Sequence, residues 1–229
     1  MDENRNLIGF ENGVYDLVKG IFRYKNVEDN ISLSTGYNYI EYYNKCEEFK
    51  KKVEIIESFL SSIQPDLDER NNLKKFLASM LCGNIKEDKY LTVLSGVGSN
   101  GKTTLLKLME KVLGEYYLKI DSSLIKKSNE IKMSPSLLNT RGRRCLEINN
   151  NIEEKKQEKI SVRGLYGEEV EFKPQFKLVY ECNDYNLKNN NINVFNFPNS
   201  FVVNNDIEKK LEECKEVIVW LLINNYYEE

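Results

Sequence analysis

A chain of 229 residues with 41% hydrophobic and 30% charged residues has the composition of a globular protein with one large domain, or a core and a small appendage. Its formal net charge of −3 excludes a general positive field for nucleic acid, so any DNA contact would depend on local lysines and arginines. Histidine is absent and the five cysteines form no C-x-x-C pair, which argues against a zinc site and favours buried thiols in a reducing, intracellular compartment. The longest apolar run, residues 217–223, is too short to cross a bilayer, and the polar, acidic amino-terminal sequence does not resemble a signal peptide.

The amino-terminal third predicts a small module of strands and helices. Three short apolar runs over residues 7–24 are separated by Asn-Gly and Lys-Gly turns, a pattern typical of a β-meander. Apolar residues then recur at helical spacing over 53–63 and again over 73–81, which predicts two amphipathic helices. We therefore expect a β-meander with a helical pair at residues 1–83.

A glycine-rich segment in the middle of the chain fits the phosphate-binding pattern G-x-x-x-x-G-K-[ST] at each fixed position. Its residues are Gly96, Val97, Gly98, Ser99, Asn100, Gly101, Lys102 and Thr103, and Thr104 follows. A buried-strand pattern precedes it at 90–94, and a helical pattern follows it as far as Gly114.

These residue types are what a bound triphosphate requires. Glycines let backbone N–H groups turn toward phosphate oxygens, and the amino end of the following helix favours the same anion. Lys102 is expected to reach the β- and γ-phosphates, and the Thr103 hydroxyl to ligate Mg²⁺. The sequence therefore predicts a site for ATP and Mg²⁺ at residues 96–104; a glycine-rich turn without a ligand is the alternative interpretation.

The remainder of the chain alternates strand and helix patterns. Strand or hairpin patterns occur at 116–120, 141–148, 160–172 and 177–182. One amphipathic helix over 207–222 is expected to close the chain. The predicted fold is α/β with a mostly parallel sheet, formed by a phosphate-loop core at residues 84–205 and a C-terminal helix at 206–229.

Several phrases in series resemble the superfamily 3 helicases of large DNA viruses, phages and plasmids, the poxvirus-type primase-helicase family. They lie, in family order, at 12–17, 29–37, 96–103, 113–116, 163–166 and 172–178. The resemblance implies an AAA+ core that forms a hexameric ring, hydrolyses ATP with Mg²⁺ and moves on single-stranded DNA. It also implies a cytoplasmic location, in a viral factory or the host cytoplasm.

The resemblance assigns roles to individual residues. Lys102 and Thr103 would hold phosphate and Mg²⁺, and Asn183 would position the attacking water. The hairpin at 160–172 would face the central channel, where Arg163 and Lys173 are candidates for contact with the DNA backbone. The alternatives are a strand-end turn residue for Asn183 and a solvated hairpin surface for the two cations.

The chain departs from the family pattern at its second carboxylate motif, which falls on Asn149-Asn150. Either Glu147, which we take as the catalytic candidate, or one of the later acids Glu153 and Glu154 replaces it, or the base for water is missing.

The family's arginine finger is also missing at its expected place. The matching stretch at 189–191 is three asparagines, and such an arginine contributes on the order of 10³–10⁵ in rate. The glycine-rich segment before the channel hairpin is replaced at 155–158, and we expect the family's primase half to be absent as well. These departures are typical of a shortened or degraded motor.

The leading hypothesis is an ATP-dependent DNA helicase of viral or mobile-element replication. It would act as a homo-oligomeric ring or together with a complete helicase. A nucleotide-binding pseudo-ATPase subunit without turnover is the second hypothesis, because of the missing arginine and displaced carboxylate. A small-molecule kinase is disfavoured, because no arginine follows Arg163 to form a phosphate lid.

Overall fold

The computed structural model describes residues 2–41, 46–84, 91–121, 139–149, 174–185, 192–201 and 205–227. Its strands are β1 (Leu7–Phe10), β2 (Gly13–Asp16), β3 (Ile21–Arg23), β4 (Leu91–Ser95), β5 (Tyr117–Asp121), β6 (Cys145–Asn149), β7 (Lys177–Cys182) and β8 (Ile192–Asn196). Its α-helices are α1 (Glu47–Ile63), α2 (Leu67–Ser79), α3 (Lys102–Leu113), α4 (Asn205–Glu212) and α5 (Lys215–Leu221).

The first three strands form an antiparallel meander, in the order β1-β2-β3. Its inner side is aromatic: the Phe10 ring lies 5.8 Å from that of Tyr37 and 5.1 Å from that of Tyr39. Arg23 of β3 forms a bidentate ion pair with Asp29, donating to both of its carboxylate oxygens at 2.6 and 2.8 Å. The predicted meander is therefore present, held by aromatic packing and one partly buried ion pair.

The two predicted amino-terminal helices are present, and each begins at a residue that caps it. The Cys46 sulfur accepts from the amide of Phe49 at the start of α1. The Asp66 carboxylate accepts from the amide of Glu69 at 2.9 Å at the start of α2, where an anion also favours the helix dipole. Apolar residues of both helices, including Ile63 and Leu73, are buried in the main core cluster.

The core contains a five-stranded sheet in the order β5-β6-β7-β4-β8. Every pairing in it is parallel, so the carboxyl ends of all five strands lie at one edge. The strand that precedes the glycine-rich loop, β4, lies between β7 and β8. The predicted α/β class with a mostly parallel sheet is confirmed.

The sheet has a different apolar cluster on each face. Leu94 and Val179 lie in the large cluster that includes the apolar side of α3, whereas Leu91, Val93 and Leu178 lie in a second cluster. Because side chains alternate along a strand, residues two positions from Val179 on β7 point toward the face that carries α3. This alternation decides which side chains of β7 approach the loop.

The prediction of one closing helix over 207–222 is wrong in one respect. The structure has α4, a turn at Glu213 and Cys214, then α5 and a π-helical turn at Leu222–Tyr226. The amide of Cys214 bonds to the carbonyl of Leu211, three residues back, so the α-helical ladder is interrupted there. The apolar periodicity spans the interruption because α4 and α5 both pack against α1 and α3.

A buried arginine joins the meander to the core. Arg144, just before β6, is 1% exposed and donates to the carbonyls of Asn4 and Leu7 at 3.0 and 3.3 Å. It also donates to the carbonyl of Gly142 at 3.0 Å and to the side chain of Gln175. One guanidinium therefore ties the amino-terminal segment to two segments of the core.

Candidate nucleotide site

The glycine-rich loop lies at the carboxyl edge of the sheet, between the end of β4 and the start of α3. Ligands of open parallel sheets bind at this edge, and here the amino end of α3 also points its free N–H groups into the same space. The loop is therefore placed where an anion would be bound.

Two glycines of the loop have no room for a side chain. Gly101 has a φ of +88°, and a Cβ on it would lie 2.4 Å from the Cγ2 of Ile63, at the end of α1. A Cβ on Gly96 would lie 2.5 Å from the carbonyl oxygen of Phe197, which follows β8. The pattern requires glycine at these positions because the loop packs closely against α1 and the segment after β8.

The segment after β8 braces the loop through hydrogen bonds as well. The buried side chain of Asn100 donates through Nδ2 to the carbonyl of Phe197 at 3.3 Å. The amide of Phe201 donates to the carbonyl of Ser99 at 2.7 Å, and Ser99 has a φ of +61°. Asn100 thus has a structural role in the loop, which its position in the sequence pattern alone does not reveal.

Lys102 is folded back beneath the loop. Its ammonium group donates to the carbonyl of Gly96 at 2.6 Å and to the Oδ1 of Asn100 at 2.8 Å, and the residue is 2% exposed. Burial lowers the pKa of Lys102, and the nearby Glu181 carboxylate opposes that change. The amine is therefore held among the loop's own acceptors, within the segment predicted to surround phosphate.

Thr103 faces a carboxylate that the sequence reasoning did not single out. Its Oγ1 donates to the Oε1 of Glu181 at 2.8 Å. Glu181 lies on β7 opposite Leu94 of β4, and it is two residues after Val179, hence on the face that carries α3. The available signal was an acidic residue after the apolar run Leu178–Tyr180, two positions before Asn183.

The next threonine is engaged by the C-terminal helices. The Thr104 hydroxyl is 3.5 Å from a carboxylate oxygen of Glu208 on α4, and Lys107 donates to both oxygens of that carboxylate at 3.0 Å. The side chain of Thr104 therefore contacts α4, while its position in the first turn of α3 leaves its backbone beside the loop.

Asn183 lies where the sequence places it, directly after β7 and exposed at the carboxyl edge. The amide of Gly96 donates to the carbonyl of Cys182 at 3.3 Å, so Asn183 follows the residue that borders the loop. The structure thus brings Asn183 to the loop's side of the sheet, and its role toward water stays a prediction.

Glu147 lies farther from the loop than Glu181 does. On β6 it pairs with Val179, two residues before Glu181, which is about 6.6 Å along the strand direction. Its carboxylate accepts from the Tyr117 hydroxyl at 2.6 Å, and Lys119 lies 3.8 Å away. Burial, reinforced by Cys145 and this carboxylate, raises the pKa of Tyr117. The acid that contacts Thr103 is Glu181, whereas the Glu147 carboxylate contacts Tyr117. The catalytic role of Glu147 stays a prediction.

Other predicted residues lie outside the described ranges. They are Arg163, Lys173, Glu153, Glu154 and the asparagines at 189–191, together with the hairpin at 160–172. Within the described ranges, no group of three or more His, Cys, Asp or Glu side chains could hold a metal ion. Nor does any helix there have the length and apolar character needed to cross a membrane.

Comparison with known proteins finds relatives of this chain among proteins of large DNA viruses. Residues 1–82 match the family model described as D5 N terminal like. Over 233 residues the chain is 36% identical to the putative helicase L207/L206 of Acanthamoeba polyphaga mimivirus, covering 93% of this chain and 24% of that relative. It is also 31% identical over 125 residues to the putative helicase 184R of Invertebrate iridescent virus 6, covering 55% of this chain and 12% of the relative.

The chain therefore carries a D5-type amino-terminal domain and is a homologue of viral proteins named as helicases. This confirms the resemblance to the helicase family of large DNA viruses that the sequence predicted. The chain spans about a quarter or less of the length of these relatives.

A solved structure supports the fold. The apo structure of the NrS-1 C terminal region (305-718) has a TM-score of 0.57 and 14% sequence identity, with 76% of this chain and 46% of that chain covered. At this identity the similarity concerns the arrangement of strands and helices.

Proposed function

We propose that this chain binds ATP with Mg²⁺ at residues 96–104 and forms part of a superfamily 3 helicase that couples hydrolysis to movement on single-stranded DNA. The observation that carries the proposal is the Lys102 ammonium group, held by the carbonyl of Gly96 inside a loop that opens onto the amino end of α3. A buried cation among neutral acceptors, beside unpaired helix N–H groups, is suited to a polyanion.

The residues at the mouth of the loop fit a magnesium ion. Mg²⁺ prefers oxygen ligands, and the Thr103 hydroxyl supplies one in the first turn of α3. When bound, the ion would neutralise charge on the β- and γ-phosphates. Thr103 is the residue that would hold it, as the phosphate-loop pattern predicts.

Nucleotide binding would change the partners of Lys102. Phosphate oxygens would replace the Gly96 carbonyl and the Asn100 amide oxygen as acceptors, and charge-assisted hydrogen bonds are the stronger kind. Asn183, at the edge of the sheet beside the loop, would orient the water that attacks the γ-phosphate. Catalysis would then consist of positioning and charge stabilisation.

The proposal extends to assembly and DNA. The stretch at 189–191 contains no arginine, so the cation that stabilises the transferred phosphoryl group would come from elsewhere in a ring of copies or from a complete helicase. Arg163 and Lys173 would contact the phosphates of single-stranded DNA, an interaction that weakens with salt.

Nucleotide binding to Lys102→Met tests the site directly. Loss of hydrogen bonds to charged oxygens is expected to remove about 1.5–3 kcal/mol, a loss of roughly 10- to 150-fold in ATP affinity. The control is Lys107→Met, one turn along α3, whose amine pairs with Glu208. Its affinity is expected to stay within about threefold of the parent chain, because an exposed pair contributes little.

The comparison is made by titrating a fluorescent ATP analogue with ATP competition. Equal affinity of the parent chain and Lys102→Met would refute the assigned role of the lysine. DNA-stimulated ATP turnover by the chain then separates a working motor from a subunit that binds nucleotide without hydrolysing it.

A further inference from the structure

The feature that the proposed function leaves unexplained is the hydrogen bond between Thr103 and Glu181. A threonine hydroxyl has one hydrogen to donate and two lone pairs. At 2.8 Å the Thr103 hydrogen is directed to the Oε1 of Glu181. The lone pairs of Oγ1 therefore point away from Glu181, which is the orientation that a metal-ligating hydroxyl needs.

The position of Glu181 is fixed by the sheet. β7 pairs with β4 along its whole length, Leu94 lies directly opposite Glu181, and the next pair joins Ser95 to Cys182. The Glu181 carboxylate therefore projects from β7, the neighbour of β4, on the face of the sheet where α3 begins. Its influence reaches the lysine as well, since Glu181 favours the charged form of Lys102.

A negative charge at this point needs an explanation. A carboxylate beside a bound triphosphate repels it, because like charges a few ångströms apart interact more strongly at a protein surface than in bulk water. A cation between them removes that repulsion. The family's own second carboxylate motif falls on Asn149-Asn150 in this chain, and Glu147 is tied to Tyr117.

We propose that Glu181 is a positioning residue for Mg²⁺: its carboxylate fixes the Thr103 hydroxyl so that the oxygen is presented to the ion, and its charge offsets that of the ion. The proposal rests on the proposed nucleotide site. It assigns to Glu181, near the end of β7, the acidic function whose position in the family pattern falls on Asn149-Asn150 at the end of β6. Groups that orient a metal ligand through a hydrogen bond commonly change metal affinity by about 10- to 100-fold when removed.

The test measures the dissociation constant of the chain for an ATP analogue with excess Mg²⁺ and again with EDTA. The quantity compared is the dissociation constant in EDTA divided by that in Mg²⁺, so a high ratio means that Mg²⁺ strengthens binding. Glu181→Leu is expected to lower this ratio by about tenfold. Its metal-free affinity is expected to remain equal or to increase, because a charge that repels phosphate has been removed. Glu181→Gln retains an oxygen acceptor for Thr103 and is expected to fall between the parent chain and Glu181→Leu.

A double-mutant cycle checks whether Glu181 acts through Thr103. In Thr103→Val the ratio is expected to be low already, and adding Glu181→Leu should change it by less than about twofold. Glu110→Gln, on α3 and paired with Lys119 at 2.7 Å, removes one negative charge from the same helix surroundings as a control and should leave the ratio unchanged.

The outcomes are distinct. An unchanged ratio in Glu181→Leu would overturn the inference, and an equal loss of affinity with and without Mg²⁺ would in addition show that Glu181 has a structural role. A lowered ratio in Glu147→Gln but not in Glu181→Leu would assign the function to Glu147 and likewise overturn it. Failure of the parent chain to bind the analogue under either condition would instead refute the nucleotide site itself.

Discussion

Replacing Arg144 by methionine should weaken the attachment of the amino-terminal module to the core and lower the free energy of unfolding more than a surface substitution does. Methionine keeps much of the unbranched stem but removes the guanidinium, which contacts four oxygen acceptors on both sides of the junction. The guanidinium also lies over the ring of Tyr116, 5.4 Å from its centre. Tyr116 in turn accepts from the amide of Gly9 at 2.8 Å, so the change affects a connected group.

The magnitude follows from these contacts. A hydrogen bond from a charged donor contributes about 1.5–3 kcal/mol, so four set an upper bound of about 12 kcal/mol. Removing the buried charge returns several kcal/mol of desolvation energy, and burial already lowers the pKa of Arg144. The expected net loss is about 3–5 kcal/mol in the free energy of unfolding, because four neutral oxygens lose their donor at about 1–3 kcal/mol each and the returned desolvation energy offsets part of that cost.

The assay is urea unfolding monitored by circular dichroism, with Arg141→Met as the matched control. Arg141 is three residues earlier, its side chain is 44% exposed, and it pairs with Glu3, whose side chain is 70% exposed. The control should change the free energy of unfolding by less than about 1 kcal/mol. A loss below about 1 kcal/mol in Arg144→Met, or equal losses in both variants, would refute the argument that Arg144 joins the module to the core.

Two further predictions concern the loop backbone and the meander. Gly101→Ala should lower the free energy of unfolding by about 1–3 kcal/mol and should also weaken ATP binding, because Gly101 has a positive φ and a Cβ there would meet Ile63. Gly98→Ala is the control: a Cβ there would have no atom within 4 Å, so the variant should match the parent chain in thermal unfolding. The hydrogen bonds from Arg23 hold the pKa of Asp29 in the folded chain below its ordinary value. The ion pair therefore stabilises the fold fully at pH values above the pKa of Asp29 in the unfolded chain, and this stabilisation is lost as the pH falls through the lower pKa of the folded chain. Asp29→Asn should therefore lose about 1 kcal/mol at pH 6 and show a smaller drop in the urea midpoint on acidification below pH 4 than the parent chain; parallel curves would contradict this.

The local parts of the fold could be predicted from the sequence because each depends on neighbours in the chain. Strand, loop and helix around residues 91–113 follow from an apolar run, glycine spacing and helical periodicity. The strand expected at 116–120 is found at Tyr117–Asp121, one residue later, because a short 3₁₀ turn at Gly114–Tyr116 first completes the end of α3. Such boundary shifts are set by capping rather than by pattern.

What the sequence did not reveal depends on strand order. Glu181 is 78 residues from Thr103 along the chain, and the two meet only because β7 lies next to β4 rather than beside β8. The apolar pattern at 177–182 predicts that Glu181 lies on a strand, but it does not indicate which strand pairs with it. Arg144 falls within the strand pattern at 141–148, and nothing in its local sequence indicates four distant or backbone acceptors.

In the proposed nucleotide complex, phosphate oxygens would replace the present acceptors of Lys102 while the loop keeps its own hydrogen bonds. Asn100 holds the lysine through Oδ1 but is anchored separately through Nδ2 to Phe197, so it keeps its position when the lysine leaves. Both present acceptors are neutral, whereas phosphate oxygens are charged and form stronger hydrogen bonds with an ammonium group. The exchange therefore favours a polyanion over a neutral ligand. Because burial lowers the pKa of Lys102 in the free chain, a triphosphate bound as proposed is expected to raise it again, with uptake of protons on binding at alkaline pH.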